Sequence, residues 1–146
     1  MPSFHIETLA GGDYDALVDL WTAAGLTYHP AGRDARESIL RQMALPNCRF
    51  MGVRGSQGEL LGAVLATHEG RKGWINRLAV RPSSQRKGMA SALVAACEEW
   101  LFSGGIPIVA ALVEGDNLSS QALFDACAYE KDQTLVYFRK LVRPGV

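Results

Sequence analysis

Cysteine is scarce and dispersed in this chain. Cys48, Cys97 and Cys127 stand far apart, and no C-x-x-C pair occurs. Such a set offers neither a disulfide framework nor a zinc site. A reducing, cytoplasmic setting is the simplest expectation, and no metal is expected. Net charge is lacking too: 15 Lys and Arg are balanced by 15 Asp and Glu. No global field draws the chain to nucleic acid or to an anionic membrane surface, so any anion site must be local. No apolar run approaches the roughly 18 residues of a membrane span. The opening residues Met1 to His5 have neither the basic nor the apolar portion of a secretory signal. Linkers, repeats and low-complexity tracts are also missing. What remains is ordinary: 146 residues, 48% hydrophobic and 21% charged. That is the length and balance of one soluble domain, 1–146, with enough chain for a real core.

Apolar spacing then divides the chain. Phe4, Ile6 and Thr8 alternate with polar neighbours and predict a short strand. Asp13 is placed to cap a helix, and Tyr14, Leu17, Val18 and Trp21 share one helical face. After Gly25 and a loop over 26–32, Asp34 starts a second helix with Ile39, Leu40 and Met43 inward. Strands are predicted over 49–53, 60–67 and 74–80, separated by glycine turns. A long helix from about Gly88 to Leu101 carries Ala90, Leu93, Val94, Cys97 and Leu101 on one face, and Gly104-Gly105 stops it. A short buried strand over 107–113, a helix over 117–128 with Leu118, Ala122 and Cys127 inward, and a last strand over 134–141 complete the series. The order β-α-α-β-β-β-α-β-α-β predicts an α/β (α+β) class: a single mixed, mostly antiparallel sheet flanked by helices.

The third of the three consecutive strands runs into Arg81-Pro82, then a polar turn, Gln85-Arg86-Lys87-Gly88-Met89-Ala90, then the long helix. The first N–H groups of a helix lack intrahelical partners, and the helix dipole adds positive charge there. An anion at that end satisfies both. Gly88, lacking a Cβ, lets a ligand approach the backbone. A plain strand-to-helix connection with a solvated basic turn would have the same composition. Neither the dinucleotide fingerprint nor the Walker phosphate loop is present.

Leu78-Ala79-Val80-Arg81-Pro82 followed by Gln85 to Ala90 resembles the acetyl-CoA-binding motif of the Gcn5-related N-acetyltransferases (GNAT). A second segment, from Glu114-Gly115-Asp116-Asn117 to Tyr129, resembles that family's other motif, with Leu123-Phe124 at a Leu-Tyr pair and Ala128-Tyr129 at Gly-Phe. The element order also matches, so the resemblance covers nearly the whole chain. It implies acetyl transfer from acetyl-CoA to a primary amine, directly within a ternary complex. It further implies that N–H groups of Gln85, Arg86, Lys87, Gly88, Met89 and Ala90 hold the pyrophosphate. Leu78, Ala79 and Val80 would pair with the pantetheine amides. An N–H near Leu78 or Ala79 would polarise the thioester carbonyl. Asn117 would touch the pantetheine arm besides capping its helix, and Phe124 would lie by the sulfur. Arg81, Arg86 and Lys87 would meet the nucleotide phosphates.

Proton handling departs from the family. Its tyrosine beside the leaving thiolate is replaced by Phe124, which has no proton to give. The strand carboxylate that often serves as base is replaced by Asn76 and Arg77. The candidates left are Glu114 and Glu69 as bases, Tyr129 as acid, Ser120 as a hydrogen-bond donor to sulfur, and Tyr28 and His29 on the acceptor loop. Tyr129, five residues from Phe124, is expected on a different helical face. Two rivals follow: a catalytically weak or inactive CoA-binding module of the same fold, and a domain for an unrelated phosphate ligand. Acceptor identity and acyl length are left open. A monomer and a homodimer are both compatible with the open edges of such a sheet.

Overall fold

The computed structural model describes residues 4–146; Met1 to Ser3, part of the stretch read above for a signal, lie outside the described residues. The elements are β1 (Glu7–Thr8), α1 (Tyr14–Ala23), α2 (Arg36–Met43), β2 (Cys48–Arg54), β3 (Leu60–His68), β4 (Gly73–Val80), α3 (Met89–Ser103), β5 (Val109–Ala111) and α4 (Leu118–Ala126). They build one five-stranded sheet in the order β1-β2-β3-β4-β5. Its first three pairings are antiparallel and β4–β5 is parallel, so the expected mixed, mostly antiparallel sheet is what forms.

Strand alternation divides the core in two. Phe50, Ala63, Leu65 and Ala79 face α1 and α2, packing on Leu17, Leu20, Trp21 and Ile39. Met51, Val64, Ala66 and Ile75 face α3, packing on Met89, Leu93, Val94, Cys97 and Leu101. That is the inward face of the long helix expected from its spacing, except that Ala90 is only half-buried. The helix sits close over β3: a Cβ on Gly62 would lie 2.7 Å from Met89 Sδ and 3.1 Å from Leu93 Cδ1.

Four expectations need correction. The first strand is two residues long, because the chain turns at once into a 3-10 segment at Gly11–Asp13. The second helix starts at Arg36, not Asp34. Asp34 is held in the loop: its carboxylate accepts the His29 N–H at 2.8 Å, and its carbonyl accepts the Tyr14 hydroxyl at 2.6 Å. Leu40 is 38% exposed, so only Ile39 and Met43 of that helix point inward. The strand expected over 107–113 shortens to Val109–Ala111 and is half-buried.

The largest difference is at the end of the chain. Residues 134–141 alternate like a strand but form none, and Leu135, Val136, Tyr137 and Phe138 are 67–88% exposed. An alternating pattern becomes a strand only where a neighbouring edge supplies hydrogen bonds. Here the chain end is drawn elsewhere: Arg33 donates to the Val146 carbonyl, and Arg143 Nη2 donates to Ala31 O at 3.2 Å. The outer face of α4 therefore stays open. Leu118 is 72% exposed and Ala122 is exposed, while Leu123, Phe124 and Cys127 pack toward α3.

Candidate active site

Strands β4 and β5 pair only at Gly73↔Val109, Trp74↔Ala110 and Ile75↔Ala111. Past Ile75 they part. The second half of β4 then has β3 on one side and no strand on the other. Its backbone groups on the open side are available to a ligand that can offer amides. Leu78, Ala79 and Val80 lie on this rim.

On the β3 side the register slips. Leu65 pairs with Asn76 and Ala63 with Ala79, so Val64 faces both Arg77 and Leu78. This is a β-bulge, which frees a backbone N–H and re-aims a side chain. As a result Asn76 and Arg77 both line the cavity on the α1–α2 side, while Ile75 and Leu78 pack on the α3 side. Arg77 takes φ +53° to do so.

The rim leads into the basic turn. Pro82–Ser84 form a 3-10 segment, and Gln85 Nε2 donates to Val80 O at 3.2 Å, closing it. Among the described residues the N–H groups of Arg86, Lys87 and Gly88 have no backbone acceptor, and Ala92 gives Gly88 O its bond at 3.0 Å. The N–H groups of Met89 and Ala90, in the first turn of α3, are likewise free of intrahelical bonds. Gly88 has φ +84°, and a Cβ there would meet nothing within 4 Å. The turn is open at that point.

Asn117 caps α4, its Oδ1 accepting the Ser120 N–H at 3.1 Å. The Ser120 side chain is half-buried, and Glu114 is exposed on the loop after β5. Tyr129 is not on a face apart from Phe124: the rings meet edge-on at 5.1 Å and 70°. The Tyr129 hydroxyl donates to Glu98 Oε2 at 2.7 Å. Burial, then the Glu98 carboxylate, push this phenol above its ordinary range.

Two candidates are engaged elsewhere in the fold. Glu69 is in the β3–β4 turn, at the end of β4 away from the basic turn, with Oε1 accepting the Lys72 N–H at 2.8 Å. Arg81 is committed to the fold: Nε donates to Leu60 O at 3.0 Å and Nη2 to Asp19 at 3.0 Å. Arg86 and Lys87 are exposed at the turn. Lys87, Ser84 and Met89 also line a cavity of about 360 Å³ with Phe4, Glu7 and Arg54.

Residues that spacing did not single out gather on the α1–α2 side. Trp21, Asp34, Asn76 and Arg77 line a cavity of about 180 Å³. The Arg77 guanidinium carbon is 4.2 Å from the Trp21 ring centroid. Its Nη2 is 3.9 Å from Asp34 Oδ2, and Asp34 is buried. Burial works against the charged form of Arg77 and lowers its pKa. The loop bearing Tyr28 and His29 borders this cluster: the His29 N–H donates to Asp34, the Tyr28 and Trp21 ring centroids are 6.5 Å apart, and the Tyr28 and Tyr14 hydroxyls are 3.0 Å apart. The sequence signal for this cluster was the polar pair Asn76-Arg77 inside an apolar strand. Its meaning depended on the bulge.

Among the described residues no group of His, Cys, Asp or Glu could hold a metal ion, and no helix is long and apolar enough to cross a membrane.

Known proteins share this fold. A family model described as the Acetyltransferase (GNAT) family matches residues 14–129. An acetyltransferase of Sodalis glossinidius is 26% identical over 139 residues, covering 94% of this chain and 96% of the relative. The aminoglycoside acetyltransferase AAC(6')-Iy, solved with a CoA bisubstrate analogue, superposes with a TM-score of 0.76 at 19% identity, over 96% of this chain and 99% of that one. The PaiA N-acetyltransferase of Thermoplasma acidophilum, solved with coenzyme A, gives 0.73 at 18% identity, over 86% and 89%. Both structures share the fold. The family match takes in the open rim, the basic turn and the helix Asn117 caps, so this chain belongs to the GNAT acetyltransferase family and uses acetyl-CoA as its acetyl donor.

Proposed function

We propose that acetyl-CoA lies along the open rim of β4 with its pyrophosphate on the turn from Gln85 to Ala90, and that a primary amine attacks it directly in a ternary complex. The observation that carries this is the loss of β4–β5 pairing after Ile75, which leaves a strand edge leading straight to the unpaired N–H groups before α3. The pantetheine amides replace the missing strand on Leu78 to Val80. A free N–H at the bulge, at Leu78 or Ala79, points its dipole at the thioester oxygen, where charge grows as the amine adds. The nitrogen–carbon bond forms and the carbon–sulfur bond breaks. The amine proton leaves to solvent or to a nearby carboxylate, and the thiolate departs as a tolerable leaving group of pKa about 8.5. Asn117 meets the pantetheine arm, Phe124 packs beside the sulfur, and the amine arrives from the loop of Tyr28 and His29.

A covalent acetyl-cysteine route is disfavoured at Cys97 and Cys48. Burial pushes the Cys97 thiol up to about 12, and burial raises Cys48 as well. Initial rates with acetyl-CoA and an amine varied together test the reading. Intersecting lines are expected; parallel lines would mean an acetyl-enzyme intermediate and overturn direct transfer. Absence of CoA binding by calorimetry would overturn the site itself.

A further inference from the structure

Among the described residues, three buried side-chain nitrogens lack any hydrogen-bond partner: Trp21 Nε1, Arg77 Nε and Arg77 Nη2. All three are donors, and both residues line the same cavity of about 180 Å³. Buried donors are nearly always satisfied in a folded protein, so each one left over needs an explanation. The backbone supports the same conclusion. Arg77 has φ +53°, which non-glycine residues rarely adopt and which persists mainly where a site requires it. The neighbouring acid does not use the guanidinium up. Asp34 Oδ2 is 3.9 Å from Nη2, beyond hydrogen-bond reach, and already accepts the His29 N–H at 2.8 Å. The Trp21 ring, 4.2 Å from the guanidinium carbon, covers one face of the fork. The Nε–Nη2 edge is what remains, and that edge matches two oxygens of a planar anion.

We propose that this cavity binds a carboxylate carried by the amine acceptor, so that the substrates are amino acids rather than polycations. The inference rests on the acetyl-transfer reading above. Arg77 immediately precedes Leu78 in the bulge whose N–H would face the thioester oxygen. A carboxylate on Arg77 is therefore within one arginine side chain of the reacting carbon. A chain of one to three carbons between carboxylate and amine suits that span, as in α-, β- and γ-amino acids. Arg33 and Arg77 outweigh the single acid Asp34 on the cavity wall, so a polycation would meet net positive charge there and offer no acceptor to the three donors.

The test uses matched pairs with acetyl-CoA: glycine and glycinamide, β-alanine and β-alaninamide, γ-aminobutyrate and its amide, with spermidine as the polycation. For at least one pair, the acid should exceed the amide in kcat/KM by about tenfold or more, as expected when a charged hydrogen bond is lost. Lower amine basicity favours the glycine amide, so a preference for that acid would not come from basicity. Arg77→Gln should bring the ratio near one, and Arg77→Lys should keep part of it. CoA affinity by calorimetry, unchanged in both variants, shows that they are folded. Acetate should compete with the acid and not with acetyl-CoA. Equal rates for acid and amide, faster turnover of spermidine, or a preference that survives Arg77→Gln would each overturn the proposal. So would inorganic phosphate competing much better than acetate, which would assign the cavity to a free phosphate. If no amine is acetylated, the transfer reading fails separately, and calorimetry of the three acids on the CoA-loaded protein decides the cavity. Heat lost in Arg77→Gln supports a carboxylate site; no heat with the native protein refutes it.

Discussion

The Tyr129 hydroxyl donates to Glu98 Oε2 at 2.7 Å and so ties the chain three residues past α4 to the middle of α3. Its proton is committed to a carboxylate that is itself half-buried. Tyr129→Phe should cost about 1 kcal/mol of stability, the worth of one hydrogen bond, and leave kcat close to that of the native chain. Denaturant titration and steady-state rates measure the two. A hundredfold fall in kcat with unchanged stability would make Tyr129 the proton donor instead.

Replacement of Gly88 addresses the cofactor. The Cβ position is open to solvent at φ +84°, so a bulky side chain would fill the ligand's side of the turn, with some backbone strain. Gly88→Trp should lower CoA affinity by more than tenfold. Gly88→Ala carries the same strain with little bulk and should lose far less. Equal losses in calorimetry would put the effect in the backbone, and no loss would move the pyrophosphate elsewhere.

The resemblance puts Phe124 at the family's tyrosine position, and its ring lies edge-on against that of Tyr129. If the sulfur lies beside it, Phe124→Tyr supplies a missing general acid, a role worth up to about 10²–10⁴ in rate. The expected result is a higher kcat at nearly constant acetyl-CoA affinity, because the gain belongs to the transition state. A severalfold loss of acetyl-CoA affinity in a folded variant would show that Phe124 packs on the cofactor and has no room for a hydroxyl.

Stability should fall at alkaline pH for a specific reason. Burial, then the hydrogen bond with Tyr28, raise the Tyr14 hydroxyl from 10.0 to about 12. The unfolded chain therefore releases this proton before the folded one does. Stabilisation is complete below pH 10 and is lost as pH rises toward about 12. Tyr14→Phe should flatten that part of the pH–stability curve while lowering stability at neutral pH, since the Asp34 carbonyl loses its 2.6 Å bond. Chemical denaturation at several pH values between these limits would reveal it, and an unchanged slope would remove Tyr14 as the cause.

The sequence by itself determined the family and the order of the elements as far as α4. These depend on local rules. Helical spacing placed Leu93, Val94, Cys97 and Leu101 on the buried face of α3, and the strand–turn–helix around Gly88 was legible from its own residues. Asn117 was legible as a cap because capping acts over a few residues. Other features were decided only by tertiary structure. The pattern of residues 134–141 is that of a strand, but no edge in the described fold pairs with it, so it stays extended and exposed. Glu69 and Arg81 had suitable chemistry, but the fold put Glu69 in the turn at the far end of β4 and tied Arg81 to Leu60 and Asp19. Asp34 was expected to open a helix and instead became a buried loop carboxylate beside Arg77. That meeting joins residues 43 positions apart across a bulge that exists only because β3 and β4 slip in register. Side-chain periodicity reports which face a residue occupies in a regular strand. It carries no record of where the partner strand breaks that regularity, and the Trp21–Asp34–Arg77 cluster is built at that break.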